Sequence, residues 1–437
     1  MKKFILTVAA AAALAGFSTP AMAIHAGEGK VSAANSDLML DGSVDTRSRM
    51  FDTLSFDKND GSKDQVDTQT RVRLGVSMTL GDVKGRIQFE NDWDTWGRFE
   101  TPQGQSTVAT AVTNTATGAV STTKAGKIAV REAWVNFNLP GTPVGIKAGH
   151  QFLQLAHGWF FRSMKYGSDA WVVYTDIDAL HLGFVDVKVA EGATAKTDDI
   201  DAYALLGVLK LNDSMKAGLD LTMLNDRVDT LGFGGTQTEL QNLGLNFTGM
   251  AGPVNLKAEL DIQMGKVTGA GGADPKFKGN QVVVQGALPV NPLAVSFTVA
   301  RGSGPKTSST DFDQFVNFLD ADPHYTLLYE YKIAGACGSI NQGFCNTTAL
   351  NVGATYAVTK KLKIGADLWM LQATEKVADA TGGSGTTSEL GNELDVKVNW
   401  MIADNLSWSW TLGYLDPGKG LGKDPATGVQ GVLSAKF

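Results

Sequence analysis

The sequence contains very little cysteine and histidine for its 437 residues. Two cysteines cannot build a disulfide-dense scaffold or a multi-cysteine metal site, and five histidines leave little material for a metalloenzyme. The signature motifs of nucleophile elbows, zinc-binding helices and phosphate-binding loops are also missing. The composition therefore argues against an enzyme, and we expect neither a cofactor nor a bound metal.

Basic charge and long apolar runs are scarce as well. The chain has 38 Lys and Arg against 45 Asp and Glu, a formal net charge of -7, so it lacks the basic footprint of a nucleic-acid-binding protein. Beyond the first residues, no apolar run approaches the roughly 20 residues that a membrane-spanning helix requires. These absences argue against nucleic-acid binding and against a helical membrane bundle.

The N-terminal residues have the pattern of a secretory signal. Lys2 and Lys3 precede an apolar stretch over residues 4–17, and Ala21 and Ala23 form a small-residue cleavage site. An anchoring helix is the alternative, but it requires a longer apolar run. We expect residues 1–23 to be cleaved and residues 24–437 to form one exported domain.

The rest of the chain has a hydrophobic period of two rather than 3.6. In residues 83–94, apolar positions such as Ile87 and Phe89 alternate with charged ones, and residues 71–80 repeat the pattern before a Gly-Asp turn. Bilayer-crossing strands need about 9 to 11 residues, whereas strands of soluble proteins usually have about 5 to 6. The pattern predicts a transmembrane antiparallel β-barrel. Because alternation does not reveal which face is inside, a large soluble sandwich or β-helix is the alternative.

The spacing of turns predicts the number of strands. Eight short turns alternate with longer stretches rich in Gly, Ser and Thr, between a first strand at about 38–51 and a last one at about 429–437. Short periplasmic turns and long extracellular loops are typical of outer-membrane barrels. We therefore predict an all-β barrel of about 18 strands. The weakest signal covers residues 171–189, and merging those two strands would give 16.

Alternation also predicts which charged residues face the lumen, because a charge on the lipid face costs roughly 2 to 4 kcal/mol at the midplane. Opposed charges would set a transverse field that favours small polar solutes, or would form ion pairs that stiffen the wall. The acidic surplus predicts a weak cation preference. The predicted pore-lining cations are Arg47, Arg49, Arg71, Arg73, Lys84 and Arg86, and the predicted pore-lining carboxylates are Glu90, Asp92, Asp94, Glu259 and Asp261.

Residues 151–169 lie between two predicted strands and are unusually aromatic. Such a segment would be an aggregation hazard if exposed to water. We therefore predict that it folds into the barrel and narrows the channel, although it could instead cover the mouth or a subunit contact. The predicted constriction residues are His157, Trp159, Arg162, Lys165 and Asp169.

The two cysteines, Cys337 and Cys345, share a long loop over residues 302–347. Their separation suits a disulfide in an oxidising compartment. Two free thiols or a metal pair are the alternatives, but the residues between the cysteines offer no histidine or carboxylate.

Three segments carry a resemblance to a known family. They are the signal-like N-terminus, the last strand ending in Phe437, and the pair of strands that contains Arg131–Val135 and Val144–His150. With these segments, the sequence resembles the general trimeric porins of Gram-negative outer membranes, and more narrowly the major porins of sulfate-reducing bacteria. The acidic Pro-Glu-Phe-Gly-Gly constriction motif of that family is absent.

The resemblance implies a homotrimer in the outer membrane, surrounded by lipid and lipopolysaccharide, that passes ions and small hydrophilic solutes by passive diffusion. Phe437 would serve as the C-terminal barrel signal. Two other functions stay open. One is a solute-specific channel, for example for a sugar or an organic acid, and the other is an adhesion or binding barrel that uses its long loops.

Overall fold

The computed structural model describes most of the chain after residue 28. The described ranges are 29–33, 36–61, 64–96, 128–192, 198–227, 231, 233–269, 274–319, 324–333, 335–337 and 343–437. The predicted signal peptide, residues 1–23, lies outside them.

Strands make up nearly all the regular structure of these ranges. They are β1 (Gly29–Ala33), β2 (Ser36–Asp52), β3 (Gln65–Leu80), β4 (Val83–Thr95), β5 (Ile128–Asn138), β6 (Val144–Gln154), β7 (Phe161–Ile177), β8 (Leu180–Ala190), β9 (Ile200–Asn212), β10 (Met215–Asp226), β11 (Gln237–Ala251), β12 (Val254–Thr268), β13 (Asn280–Val290), β14 (Leu293–Gly302), β15 (Phe318–Leu319), β16 (Thr347–Ala357), β17 (Leu362–Ala378), β18 (Thr386–Ala403), β19 (Leu406–Pro417) and β20 (Ala426–Lys436). One short 3-10 helix covers Gly335–Cys337. Within the described ranges, no helix is long and apolar enough to cross a membrane.

Eighteen of these strands, β2–β14 and β16–β20, form a closed antiparallel barrel. Each pairs with its sequence neighbour, and β2 closes the barrel against β20, with Ser43 opposite Lys436 and Asp52 opposite Thr427. The short β1 pairs with β2, and β15 pairs in parallel with β7. The prediction of 18 strands is confirmed. The alternative of 16 is wrong, because residues 171–189 contain the end of β7, a turn and most of β8.

The two faces of the strands differ as the alternation predicts. On β12, the outward Leu260 and Ile262 are 36% and 42% exposed, whereas the inward Glu259 and Asp261 are each 2% exposed. Apolar side chains therefore cover the outside of the barrel, where lipid replaces water, and polar side chains face the interior.

Two segments fold into the barrel from its extracellular side. We call residues 155–160, between β6 and β7, the hairpin tip, and residues 303–319 and 324–333, between β14 and β16, the strap. Two aromatic clusters bury them against the wall, one around Phe160 and Phe318 and the other around Tyr325 and Phe344. The predicted disulfide between Cys337 and Cys345 is confirmed beside the second cluster, with Cα atoms 5.9 Å apart.

Candidate channel lining and constriction

One side of the barrel interior stays open. A cavity of about 1230 Å³ lies between β2–β5, β18–β20, the start of β7 and the end of the strap. The remaining interior is occupied by the two inward segments and their aromatic clusters. The open lumen therefore lies on one side of the barrel, against the strands that carry the predicted basic residues.

Cationic side chains dominate the lining of this cavity. Among the described residues, ten Arg or Lys side chains line it against four carboxylates. The cations are Arg47, Arg49, Arg71, Arg73, Arg86, Arg131, Arg162, Lys165, Lys397 and Lys436, and the carboxylates are Asp41, Asp45, Glu132 and Asp395. The predicted Lys84 is not among them, because it lies beside the periplasmic turn at the start of β4, where it is exposed.

Most of these arginines form ion pairs along the wall. Arg49 pairs with Asp67 at 2.6 Å, and Arg71 pairs with Asp45 at 3.1 Å.

Two more arginines are paired in the same way. Arg73 contacts Glu90, and Arg86 donates to both Asp41, at 2.6 Å, and Glu132, at 2.9 Å. The same side chains therefore line the cavity and form ion pairs, so the two predicted roles of the basic rows are compatible.

Arg47 differs from its neighbours. One terminal nitrogen donates to Gln69 at 2.6 Å and the other to the hydroxyl of Tyr331 at 3.3 Å, while the guanidinium lies 4.1 Å from the centre of the Trp93 ring. Arg71 lies 4.3 Å from the same ring. Within the described residues no carboxylate pairs with Arg47.

The alternation rule misses Arg131. It would place Arg131 on the outer face, because Glu132 faces inward. A β-bulge interrupts the pairing of β4 with β5 between Gln88 and Phe89. A bulge can redirect a side chain, and Arg131 turns inward, where it donates to Gln88 at 2.8 Å and lies 3.2 Å from Glu90.

Three of the predicted acidic residues, Glu90, Glu259 and Asp261, do not line the open lumen as expected. Glu259 accepts hydrogen bonds from the backbone N–H of His157 at 2.7 Å and of Trp159 at 3.3 Å, both in the hairpin tip. Asp261 accepts from Asn242 and Gln281, each at 2.8 Å.

Burial explains this difference. The hairpin tip covers this part of the wall, so its carboxylates hold protein groups instead of facing water. Glu90 contacts two wall arginines, as described above, and is 8% exposed. The side chains of Asp92 and Asp94 lie outside the described part of the structure.

The predicted constriction segment is a strand hairpin rather than a loop, since β6 continues to Gln154 and β7 begins at Phe161. Its tip crosses the interior and reaches β11 and β12. His157 Nε2 lies 3.1 Å from the carbonyl oxygen of Phe247, and burial lowers the pKa of His157 below its ordinary value. The Trp159 ring packs 4.9 Å from that of Phe344, away from the lumen.

The other predicted constriction residues are divided between two surfaces. Arg162 and Lys165 line the cavity. Asp169 does not belong to the constriction, because its side chain is 70% exposed and pairs at 2.9 Å with His150. Alternation along β7 places it on the outer face with Trp171.

The strap was not predicted as a constriction. The backbone N–H groups of Leu328 and Tyr329 donate to the two oxygens of Glu393 at 2.6 and 2.8 Å, which fixes the strap to β18. From there it presents Tyr331 to the arginines of β2. The available signal was the apolar and aromatic composition of residues 324–331, inside a loop otherwise singled out for its cysteines.

No cluster of three metal-ligating His, Cys, Asp or Glu side chains occurs among the described residues.

No protein-family model and no curated protein matches the sequence. The fold, however, is similar to solved outer-membrane proteins of Pseudomonas aeruginosa. OpdK has 11% identity and a TM-score of 0.55, and the match covers 91% of this chain and 98% of that one. OprD has 11% identity and a TM-score of 0.53, with 92% and 95% covered. A structure of OpdK with vanillate has 12% identity, a TM-score of 0.54, and 91% and 98% covered.

At these identities the comparison concerns the fold. The protein is a closed, multi-pass β-barrel with the fold of outer-membrane proteins, as the sequence predicts. The narrower resemblance to the general trimeric porins of sulfate-reducing bacteria is not supported, because these structural neighbours belong to another group of outer-membrane channels.

Proposed function

We propose that this protein is a solute-selective outer-membrane channel for small organic anions. The observation that carries the proposal is the charge of the open lumen, where ten cationic side chains oppose four carboxylates among the described residues. Other inward carboxylates, such as Glu259 and Glu393, are buried beneath the inward segments and do not line this cavity. The local field therefore favours anions, in contrast to the cation preference that the sequence predicts.

Arg47 and its surroundings support an organic rather than a purely inorganic anion. Its guanidinium lies against Trp93 and has no carboxylate partner among the described residues. A site that combines a cation with an aromatic face suits a small carboxylate with an apolar body. The structure of OpdK with vanillate, an aromatic carboxylate, agrees with this solute class.

General diffusion of ions and small hydrophilic solutes is the second candidate. The volume of the cavity, about 1230 Å³, favours it, because that space accommodates several waters beside a small solute. The two functions differ in saturation, since a selective channel has a site that one solute can fill.

Planar-bilayer recording tests the proposal. We expect the reversal potential in a salt gradient to report an anion preference and the ionic current to be blocked saturably by benzoate but not by benzamide. A cation preference, or the absence of block by either compound, would favour general diffusion.

A matched pair of variants locates the selectivity. Arg47→Gln and Lys84→Gln remove the same charge, but only Arg47 lines the cavity. We expect Arg47→Gln to lower the anion-to-cation permeability ratio at least threefold and Lys84→Gln to leave it within about 20%, as expected for a charge at the constriction compared with one at the rim. Equal shifts in the two variants would contradict a localised site.

Homotrimeric assembly, a boundary of lipid and lipopolysaccharide, and the lack of enzymatic activity complete the proposal. Conductance steps in groups of three would support the trimer. Uniform single steps from a protein that sediments as a monomer would contradict it.

A further inference from the structure

Two positive charges in the lumen converge on one neutral oxygen. Arg47 Nη1 donates to the Tyr331 hydroxyl at 3.3 Å, and Arg49 Nη1 donates to the same oxygen at 3.2 Å. Arg49 also forms a two-pronged pair with Asp67, at 2.9 and 2.6 Å, whereas Arg47 has no such partner within the described residues. The Tyr331 oxygen therefore lies where an anionic oxygen would be stabilised by both guanidinium groups.

Tyr331 reaches this position from the strap and not from the barrel wall. The strap is fixed just before it, where Glu393 accepts the two backbone N–H groups described above. Just after it, Lys332 donates to Gln65 at 2.6 Å and lies over the Phe51 ring. The His324 ring packs against that of Tyr331 at 4.3 Å. The strap is therefore fixed on both sides of Tyr331, and these contacts position the hydroxyl beside the arginines.

The Tyr331 hydroxyl is a weak ligand for two arginines that would bind a carboxylate more strongly. A phenol oxygen accepts hydrogen bonds from two guanidinium groups but brings no charge. A carboxylate offers two oxygens and a negative charge to the same donors, and such charge-assisted bonds are roughly twice as strong as neutral ones. A carboxylate that enters the lumen would therefore compete with Tyr331.

We propose that the Tyr331 hydroxyl is a tethered substitute for the solute carboxylate. Arg47 and Arg49 form the anion site, Tyr331 fills it in the resting channel, and an entering anion displaces the hydroxyl to bind. Because the Tyr331 hydroxyl competes for the two arginines, it lowers the apparent affinity of the site for the solute. A lower affinity allows a selective channel to release its solute. This inference rests on the proposed anion selectivity.

Removing one oxygen atom tests the inference. Tyr331→Phe keeps the ring and its packing but deletes the competing acceptor. Tyr174→Phe is the matched control, because the Tyr174 hydroxyl donates to Asn136 at 2.9 Å and contacts neither arginine. The dissociation constant for benzoate block is measured in a planar bilayer for both variants and for the unmodified protein, with benzamide as the uncharged control.

We expect benzoate to bind about tenfold more tightly to Tyr331→Phe, which corresponds to the removal of one competing charged hydrogen bond, and Tyr174→Phe to be unchanged. If Tyr331 instead positions the arginines, the substitution weakens the block, and this opposite sign overturns the inference. An unchanged constant overturns it as well.

The outcome for the channel as a whole is read separately. The reversal potential of the unmodified protein decides the proposed anion selectivity. Block of the unmodified protein that needs a much higher benzoate concentration than block of Tyr331→Phe would support the substitute ligand, because the hydroxyl then competes with benzoate for the site. If benzoate blocks both proteins with the same dissociation constant and both remain anion-selective, the inference fails and the proposed function stands.

Discussion

At the scale of single residues, the barrel depends on a few positions where a side chain meets a backbone. Gly42 and Phe437 pair across the seam that closes the barrel, with Gly42 N donating to Phe437 O at 2.8 Å and Phe437 N donating to Gly42 O at 3.1 Å. A Cβ atom on Gly42 would lie 2.5 Å from the Phe437 ring and 2.8 Å from the carbonyl oxygen of Arg73. Gly42 therefore leaves the space that the Phe437 ring occupies.

We expect Gly42→Ala to displace the Phe437 ring and to lower the stability of the folded barrel by about 1 to 3 kcal/mol, the usual cost of overpacking. The heat-dependent shift of the barrel in gel electrophoresis, measured against urea concentration, checks this value. Gly85→Ala is the control, because the nearest atom to its new Cβ is a carbonyl oxygen at 3.6 Å. Equal loss in both variants would mean that the contact at the seam does not set the cost.

At the scale of structural elements, a buried wall carboxylate docks each inward segment. Glu259 holds the hairpin tip and Glu393 holds the strap, in both cases through backbone N–H groups. A carboxyl group suits this role because it offers two acceptor oxygens to a docked turn, whose N–H donors need partners away from water. The segments can thus change sequence without losing their attachment, as long as the wall residue stays.

We expect Glu393→Gln to release the strap partly, because an amide offers one oxygen to two donors and leaves one N–H without a partner, at a cost of about 1 to 3 kcal/mol. Single-channel recording should show larger and noisier currents. Glu389→Gln on the same strand is the control, since Glu389 is exposed. If conductance and noise match those of the unmodified protein, the strap does not depend on this carboxylate.

The docking of the hairpin tip should weaken in acid. Burial shifts the pKa of His157 below its ordinary value of 6.5, although the hydrogen bond to the carbonyl oxygen of Phe247 opposes the shift; the positive charge of Lys257 adds to it. A histidine with a lowered pKa stabilises the folded state while it is neutral, and this stability is lost as the pH falls below 6.5, because the unfolded segment takes up a proton first.

Protease nicking of the hairpin at pH 7.5 and at pH 5 measures this dependence. We expect faster nicking at pH 5 in the unmodified protein and in His150→Gln, whose imidazole lies on the outer face. His157→Gln should remove most of the difference between the two pH values. A difference that survives in His157→Gln would assign the effect to another group, such as Glu259.

At the scale of the whole molecule, an 18-stranded barrel encloses more space than one small solute requires. The two inward segments fill the side of β8–β17 and also cover Glu393 on β18, and they leave the lumen open against β2–β5 and other parts of β18–β20. Filling one side also removes its carboxylates from the channel. Although the chain has a net negative charge, the described lining of the open lumen contains more cationic than anionic side chains.

The barrel, its 18 strands and the inward direction of Arg47, Arg71 and Arg86 could be predicted from the amino-acid sequence alone, and the cysteine spacing favoured the disulfide. These features follow from local rules, since side chains alternate across a strand and short turns set the pairing of neighbours. The aromatic composition of the segment that contains His157 also predicted that this segment folds into the barrel interior.

Which inward residues line the open lumen depends on contacts that form only in the folded chain. Glu259 and Asp41 both point inward by alternation, but a hairpin about 100 residues away in the sequence covers the first and leaves the second open. Arg131 faces the lumen because of a bulge, and Tyr331 reaches it on a strap fixed to a strand 65 residues further along. Contacts between distant segments, and irregular pairing, are not encoded in a local period, so the lining of the channel emerged only when the chain had folded.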